Sequence, residues 1–250
     1  LDYLKAHNNL VFTSDTKRRY EKFPLTDIQN SYVMGRNRLY ELGGIGCHGY
    51  IEIEVNRLLD PGQLEVAWNK VIQKHDLLRA IVSASGYQIV QEAVPSVEIT
   101  VLDGRDKDIR SDKEELRAEL STKQYQLGTW PMCDLALSIE KDKSIIYFSL
   151  DMLISDFVSM NVMLNDLERF YDNPHEIIVP TTSYRDIVLY QEKRKTFNSK
   201  SRQEAEVYWN KKISMMGDAP NLPVIGTEDN QEVSFFQKKV FLNEKQWEAF

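Results

Sequence analysis

The sequence contains few of the residues that build disulfide frameworks or metal sites. Its 250 residues include two cysteines, Cys47 and Cys133, and four histidines. The cysteines are far apart in apolar surroundings, which argues against a disulfide framework or a zinc site and predicts two buried thiols in a reducing compartment. We therefore expect a cytoplasmic protein with no bound metal.

Long apolar runs are also missing. No stretch approaches the roughly 18 consecutive apolar residues of a membrane-spanning helix, and residues 1–20 lack the apolar core of a signal peptide. Glycine (11) and proline (8) are too scarce for collagen-like or low-complexity sequence, while 42% of the residues are hydrophobic. These features predict a globular protein that does not span a membrane.

Positive charge is in deficit. The 31 Lys and Arg residues face 38 Asp and Glu residues, which gives a formal net charge of −7. Such a charge repels nucleic acid and anionic membranes, so we expect neither as a partner. An acidic protein partner would have to find a local basic or apolar patch.

Strand-like and helix-like periodicities alternate along the chain. The predicted strands cover residues 47–55, 79–83, 87–92, 97–102, 132–140, 144–150 and 233–242. The predicted helices cover residues 61–77, 111–122, 155–171, 184–195 and 202–216, and Asn243 caps a further one. The first of these has Asp60 as its N-cap and Pro61 as its first residue. This order predicts an α/β fold of the mixed α+β kind, in which helices pack on a mixed sheet. Because the chain ends at Phe250 within the last predicted helix, we expect it to be part of a larger unit.

A polar group stands out where the apolar strand 144–150 gives way to a helix. Asp151, Asp156 and Ser159 are spaced D-MLIS-D-FV-S at a junction where α/β proteins commonly place ligands. Two close carboxylates would raise the pKa of one of them. The alternative is structural, with the same side chains serving only to fix the loop and satisfy the helix start.

The predicted helix 155–171 begins with Ser155 as its cap and places Asp156 in its first turn. Its predicted core-packing residues are Phe157, Val158, Val162, Leu164, Leu167 and Phe170.

A second candidate group lies at the end of the first predicted helix. His75 lies on the apolar face of that helix, where a lone histidine is more often a hydrogen-bonded core residue than a base. Arg79 is a candidate counter-ion for a buried aspartate.

Residues 23–36 read FPLTDIQNSYVMGR, which resembles the opening signature of heterocyclization domains of nonribosomal peptide synthetases. Gln29, Tyr32 and Arg36 match that signature, and Ser31 replaces its usual alanine. The D-MLIS-D-FV-S segment resembles the DxxxxDxxS motif of that family, with Met152 where peptide-forming condensation domains carry their second histidine. KHDLL (74–78) is similar to the family's RHxxL motif.

The resemblance implies a chloramphenicol-acetyltransferase-like lobe, one half of a V-shaped domain of two lobes with a tunnel between them. It divides the chain into a linker or docking segment (1–22), the N-terminal lobe (23–217), and a crossover into a C-terminal lobe (218–250). Two carrier proteins would deliver tethered substrates from opposite faces of the tunnel.

The implied reaction joins a carrier-bound acyl or peptidyl thioester to a carrier-bound Cys, Ser or Thr. Cyclodehydration to a thiazoline or oxazoline follows. The implied partners are upstream and downstream peptidyl carrier proteins, the adenylation domain and the missing C-terminal lobe. No cofactor is expected to be bound, since the substrates travel on 4′-phosphopantetheine. The alternatives are an ordinary amide-forming condensation domain and a non-catalytic carrier-docking lobe.

The resemblance also suggests roles for the site residues. We expect Asp151 to face the tunnel as a positioning or proton-handling group. We expect Asp156 to pair with Arg79, and Ser159 to hydrogen-bond one of the two carboxylates. Gln29, Tyr32, Arg36 and His75 are then supporting residues.

Overall fold

The computed structural model describes residues 12–40, 43–176, 182–196, 200–218 and 241–249. Its strands are β1 (Phe23–Pro24), β2 (His48–Val55), β3 (Ala80–Ser83), β4 (Tyr87–Val90), β5 (Thr100–Asp103), β6 (Cys133–Ile139) and β7 (Ser144–Asp151). Its α-helices are α1 (Asp27–Gly35), α2 (Pro61–Lys74), α3 (Arg110–Thr122), α4 (Phe157–Asp172), α5 (Tyr184–Thr196), α6 (Lys200–Ser214) and α7 (Glu244–Glu248). Short 3₁₀ helices cover Thr16–Arg18 and Asp76–Arg79.

Two sheets organise the described chain. The larger has four strands in the order β2-β7-β6-β5, and only its β5–β6 pair is parallel. The smaller is antiparallel, in the order β1-β4-β3. Every residue of β7 is buried, as its nearly continuous apolar sequence predicts for a central strand. The predicted mixed α/β fold is confirmed.

The core lies between the large sheet and the helices α2 and α4. Asp60 caps α2 by accepting a hydrogen bond from the Gln63 backbone N–H at 2.7 Å, and Pro61 supplies its first residue. Trp68 of α2 meets Phe148 of β7 edge to face, with ring centroids 5.5 Å apart. Both side chains are almost fully buried, so this aromatic pair positions α2 on the large sheet.

The start of α4 differs from the prediction. Asp156, not Ser155, is the N-cap residue. Phe157, Val158 and Val162 are exposed rather than packed, with Phe157 at 71%. The helix thus starts one residue later than a cap at Ser155 implies, and these three side chains lie outside the face that packs on the sheet. Leu167 and Phe170 are buried as predicted, and the same face also buries Met160, Met163, Asp166 and Tyr171.

The remaining differences are local. Cys133 is buried as predicted, but Cys47 is exposed because it precedes the first residue of β2. β5 starts at Thr100, three residues later than predicted. Asn243 caps a helix as predicted, through a capping box with Gln246. Most of the predicted strand 233–242 lies outside the described residues.

Residues 12–22 are attached to the rest of the fold. The hydroxyl of Ser14 and the backbone N–H of Asp15 donate to Asp186 of α5 at 3.0 and 2.9 Å. Arg19 forms a buried ion pair with Asp76, at 2.8 Å. This part of the predicted linker therefore packs against the lobe, while the predicted domain boundaries stay predictions.

Candidate functional site

Asp151 ends the central strand and lies inside the protein. Its side chain is 1% exposed. One carboxylate oxygen accepts a hydrogen bond from the backbone N–H of Leu153 at 2.9 Å, and the other is paired with the Arg36 guanidinium. The prediction that Asp151 faces the tunnel is therefore wrong, because its carboxylate is buried and both of its oxygens are bound inside the protein.

Arg36 links the opening signature to this motif. It follows the last residue of α1, and its second terminal nitrogen donates to the Tyr125 carbonyl at 2.6 Å. The guanidinium crosses Gly46 so closely that a Cβ on that glycine would lie 2.9 Å from the guanidinium carbon. A side chain at position 46 would therefore have to displace the guanidinium from its place beside Asp151.

Gln29 ties the same helix to the loop after Asp151. It is buried and exchanges two amide hydrogen bonds with Gln88 of β4, at 3.0 and 2.9 Å. Its nitrogen also donates to the Leu153 carbonyl at 2.8 Å, and its oxygen completes a capping box with Thr26. Tyr32 packs against the main core. The signature residues therefore hold the loop between β7 and α4 from one side.

Asp156 and Ser159 form the start of α4. The backbone N–H of Ser159 donates to Asp156 at 2.7 Å. This bond, with a second one from the Ser159 hydroxyl, lowers the pKa of Asp156 below its ordinary value. The 2.7 Å bond that joins Ser159 to Asp156 is thus the backbone N–H bond of a helix cap, which is the structural alternative for this pair. The predicted raised pKa is wrong for Asp156, because helix-start hydrogen bonds stabilise its charged form.

Arg79 does not pair with Asp156. Its guanidinium donates to Asp76 at 3.1 Å, to the Ile72 carbonyl at 3.1 Å and to the carbonyl of Gln73. It is therefore a buried counter-ion, as predicted, but its partner is Asp76, three residues earlier. The same arginine also satisfies carbonyl groups at the end of α2, which a helix otherwise leaves without partners.

His75 belongs to a cluster around Asp166, a residue that the sequence patterns did not single out. The Nε2 atom of His75 lies 2.8 Å from an Asp166 carboxylate oxygen, and the Lys74 ammonium lies 2.7 and 2.6 Å from the two oxygens. Arg169 approaches the same carboxylate at 3.0 Å. The signal in the sequence was an aspartate on the buried face of α4, between the buried Met163 and Leu167.

Burial and pairing set the charges of this cluster. Burial lowers the pKa of His75, although the hydrogen bond to Asp166 opposes it. Burial raises the pKa of Asp166, but hydrogen bonds from Lys74 and His75 outweigh that effect and hold it below its ordinary value. The carboxylate is thus ionised and the imidazole neutral near pH 7.

An open cavity of about 300 Å³ lies beside α4. Ser159 and His75 both line it, whereas Asp151 and Asp156 do not. The structure therefore separates the predicted site residues. Asp151 is inside, Asp156 caps the helix, and only Ser159 and His75 reach a common cavity.

No group of three or more His, Cys, Asp or Glu side chains within the described residues is arranged to hold a metal ion. In the same part of the chain, no helix has the length and apolar character needed to cross a membrane.

The Condensation domain family matches residues 20–249. The chain belongs to the condensation-domain family. This confirms the resemblance read from the FPLTDIQNSYVMGR and D-MLIS-D-FV-S segments.

The condensation-domain chain is similar to two synthetases. It is 29% identical to pyochelin synthetase PchF of Pseudomonas aeruginosa over 234 residues, which are 92% of this chain and 13% of the synthetase. It is 28% identical to phenyloxazoline synthase MbtB of Mycobacterium tuberculosis over 206 residues, which are 81% of this chain and 14% of the synthase.

Its fold is similar to that of the EpoB cyclization-docking bidomain of a nonribosomal peptide synthetase from Sorangium cellulosum. The TM-score is 0.75 and the identity 30%, over 86% of this chain and 43% of the bidomain. The chain thus spans less than half of this structure and about an eighth of PchF.

Proposed function

We propose that this chain is the N-terminal lobe of a heterocyclization domain in a nonribosomal peptide synthetase. The observation that carries the proposal is the D-MLIS-D-FV-S segment, which stands at the strand-to-helix junction and is held there by the opening signature through Arg36 and Gln29. Similarity to a cyclization bidomain and to a phenyloxazoline synthase supports it.

The proposed reaction has two halves. The amine of a carrier-bound Cys, Ser or Thr attacks an upstream thioester and forms an amide. The side chain of that residue then attacks the new carbonyl, and loss of water gives a thiazoline or oxazoline. The first half chiefly needs two tethered substrates held close together, which can contribute several kcal/mol through effective molarity.

In this proposal the motif aspartates are positioning residues. Asp151 and Arg36 fix the loop that follows the central strand. Asp156 and Ser159 fix the first turn of α4. Acid–base groups for the dehydration would then come from outside these two aspartates, since one is buried in an ion pair and the other has a lowered pKa.

The proposed partners are two peptidyl carrier proteins, an adenylation domain and a C-terminal lobe. The substrates are carried on 4′-phosphopantetheine, and we propose no bound cofactor. We also propose that the synthetase works in the cytoplasm, where its thiols, including the exposed Cys47, stay reduced.

The test is the mass of the carrier-bound product formed by the full-length synthetase with both carriers loaded. We expect a product lighter by one water than the linear amide. A product with the mass of the linear amide would assign an ordinary condensation domain instead. Complete absence of acyl transfer would assign a docking lobe.

A further inference from the structure

The cluster around His75 has a feature that the proposed roles of the motif do not use. Asp166 is 5% exposed, and its carboxylate accepts hydrogen bonds from Lys74 and His75. A buried carboxylate that orients an imidazole is the arrangement with which proteins prepare a histidine for proton transfer.

The hydrogen bond to Asp166 fixes the tautomer of His75. An ionised carboxylate can only accept, so the Nε2 atom must carry the proton that it donates. In the neutral ring the lone pair then resides on Nδ1. Within the described residues Nδ1 has no hydrogen-bond partner, and the side chain does not cap the following 3₁₀ helix.

The ring borders the cavity beside α4. The His75 side chain is 24% exposed. Ile154 and Ser159 bring the motif loop and the first turn of α4 to the same cavity, and Leu77 and Val162 give it apolar walls. A base in this position is reachable from solvent, close to the segment that carries the family motif.

The charged groups around the ring are internally paired. Lys74 is bound to Asp166, and Asp76 is bound to Arg19 and Arg79. Arg169 also contacts Asp166, and Tyr184 brings a neutral phenol to the cavity wall. Burial lowers the pKa of His75, so the imidazole is neutral at neutral pH, with its one proton on Nε2 and Nδ1 unprotonated.

We propose that His75, oriented by Asp166, is the proton acceptor of the amide-forming half-reaction; this rests on the proposed function. The acceptor amine attacks the thioester carbon, so an N–C bond forms and the C–S bond breaks. The excess proton on nitrogen passes to Nδ1 of His75. It then goes to the departing phosphopantetheine thiolate, which leaves as a thiol.

The experiment is a single-turnover assay of the full-length synthetase with both carriers loaded, in which total amide, linear plus cyclized, is measured against pH. We expect His75→Gln to slow amide formation about 100-fold, the lower end of the usual contribution of a general base. Gln can still donate to Asp166, so the variant should keep its fold, which its melting temperature would check. His175→Gln, at an exposed histidine outside the cavity, is the matched control and should match the wild type.

The pH profile separates proton transfer from a packing role. The wild-type rate of amide formation should rise with pH through a midpoint below 6.5, the ordinary pKa of histidine. The His75→Gln variant should lose this rise. It should keep the separate rise that comes from deprotonation of the substrate amine. A His75→Gln rate within twofold of wild type, or a retained low-pH rise, would overturn the role of His75. If the wild type makes only linear amide, the proposed cyclization is wrong, but the role of His75 in amide formation is still tested. If the wild type makes no amide, both proposals are wrong.

Discussion

Asp151 and Arg36 are separated by more than a hundred residues and form one ion pair, with side chains 1% and 12% exposed. Removing one partner leaves the other charge buried without compensation. Asp151→Asn should therefore lower the free energy of unfolding by about 3–5 kcal/mol. Urea unfolding of the chain measures this, and Asp142→Asn, at an exposed aspartate in the β6–β7 turn, is the control expected to change little.

The double variant Arg36→Met, Asp151→Leu adds a second check. Because this variant buries neither charge, its loss of unfolding free energy should be smaller than the summed losses of the single variants Arg36→Met and Asp151→Leu. Additive losses would mean that the two side chains act independently, contrary to the structure.

Asp156 gives a different prediction, because it is a helix cap. Asp156→Ala should destabilise the chain by about 1 kcal/mol, while Asp156→Asn, which keeps a capping oxygen, should cost much less. The pKa of Asp156 is lowered in the fold. The charged cap therefore contributes above the unfolded pKa of about 3.9 and is lost as pH falls through the folded value. Equal losses for Ala and Asn at pH 7 would contradict the capping role.

Sequence patterns found these residues but not their partners. The spacing of Asp151, Asp156 and Ser159 was visible in the chain, and so was the Arg79 cation. The partners of Asp151 and His75 come from α1 and α4, and a pattern along one segment does not report contacts across segments. Asp76 was within reach of sequence reasoning, because it stands three residues before Arg79.

At the scale of elements, the Arg36 side chain packs closely against the backbone at Gly46, two residues before β2 begins. A Cβ there would lie 2.9 Å from the guanidinium carbon and 3.1 Å from the Gln124 side-chain oxygen. Gly46→Ala should thus destabilise the chain by about 1–3 kcal/mol, the usual effect of overpacking.

Gly35→Ala is the matched control, since nothing lies within 4 Å of a Cβ at that helix position. It should leave the chain as stable as the wild type or slightly more so, because alanine favours a helix over glycine. Urea midpoints compare the two variants, and equal midpoints would refute the close approach.

The elements themselves were largely predictable. The continuous apolar run of β7 and the Asp60–Pro61 start of α2 carry strong local signals, and both were predicted correctly. The end of α2 was not: the helix stops at Lys74, so His75 follows it and does not lie on its apolar face. The first turn of α4 was misjudged because Ser155 and Asp156 are both good caps. Phe157, Val158 and Val162 were assigned to the core for a different reason: they are apolar, and apolar character alone does not show whether another element covers them.

At the scale of the whole molecule, acid should weaken the fold through its histidines. Burial lowers the pKa of both His48 and His75 in the folded state. The unfolded chain then binds more protons, so stability is complete above about pH 6.5 and falls as pH drops below it. The melting temperature should decrease between pH 7.5 and 5.5, and less so in His75→Gln. An equal decrease in that variant would show that other groups dominate.

Several apolar side chains lie on the surface of the described residues, although sequence periodicity alone would place them in a core. Phe157 is 71% exposed, and on α6 Val207 and Trp209 are 70% and 61% exposed. Periodicity identifies apolar faces but does not say whether the covering element lies in the same segment.

The most direct test of the proposed heterocyclization follows one oxygen atom. The upstream acyl group is loaded on its carrier with heavy oxygen in the thioester carbonyl, and the full-length synthetase forms the product. Cyclodehydration expels that oxygen as water, so the account predicts an unlabelled heterocyclic product and labelled water. A product that keeps the label, at the mass of the linear amide, would contradict it.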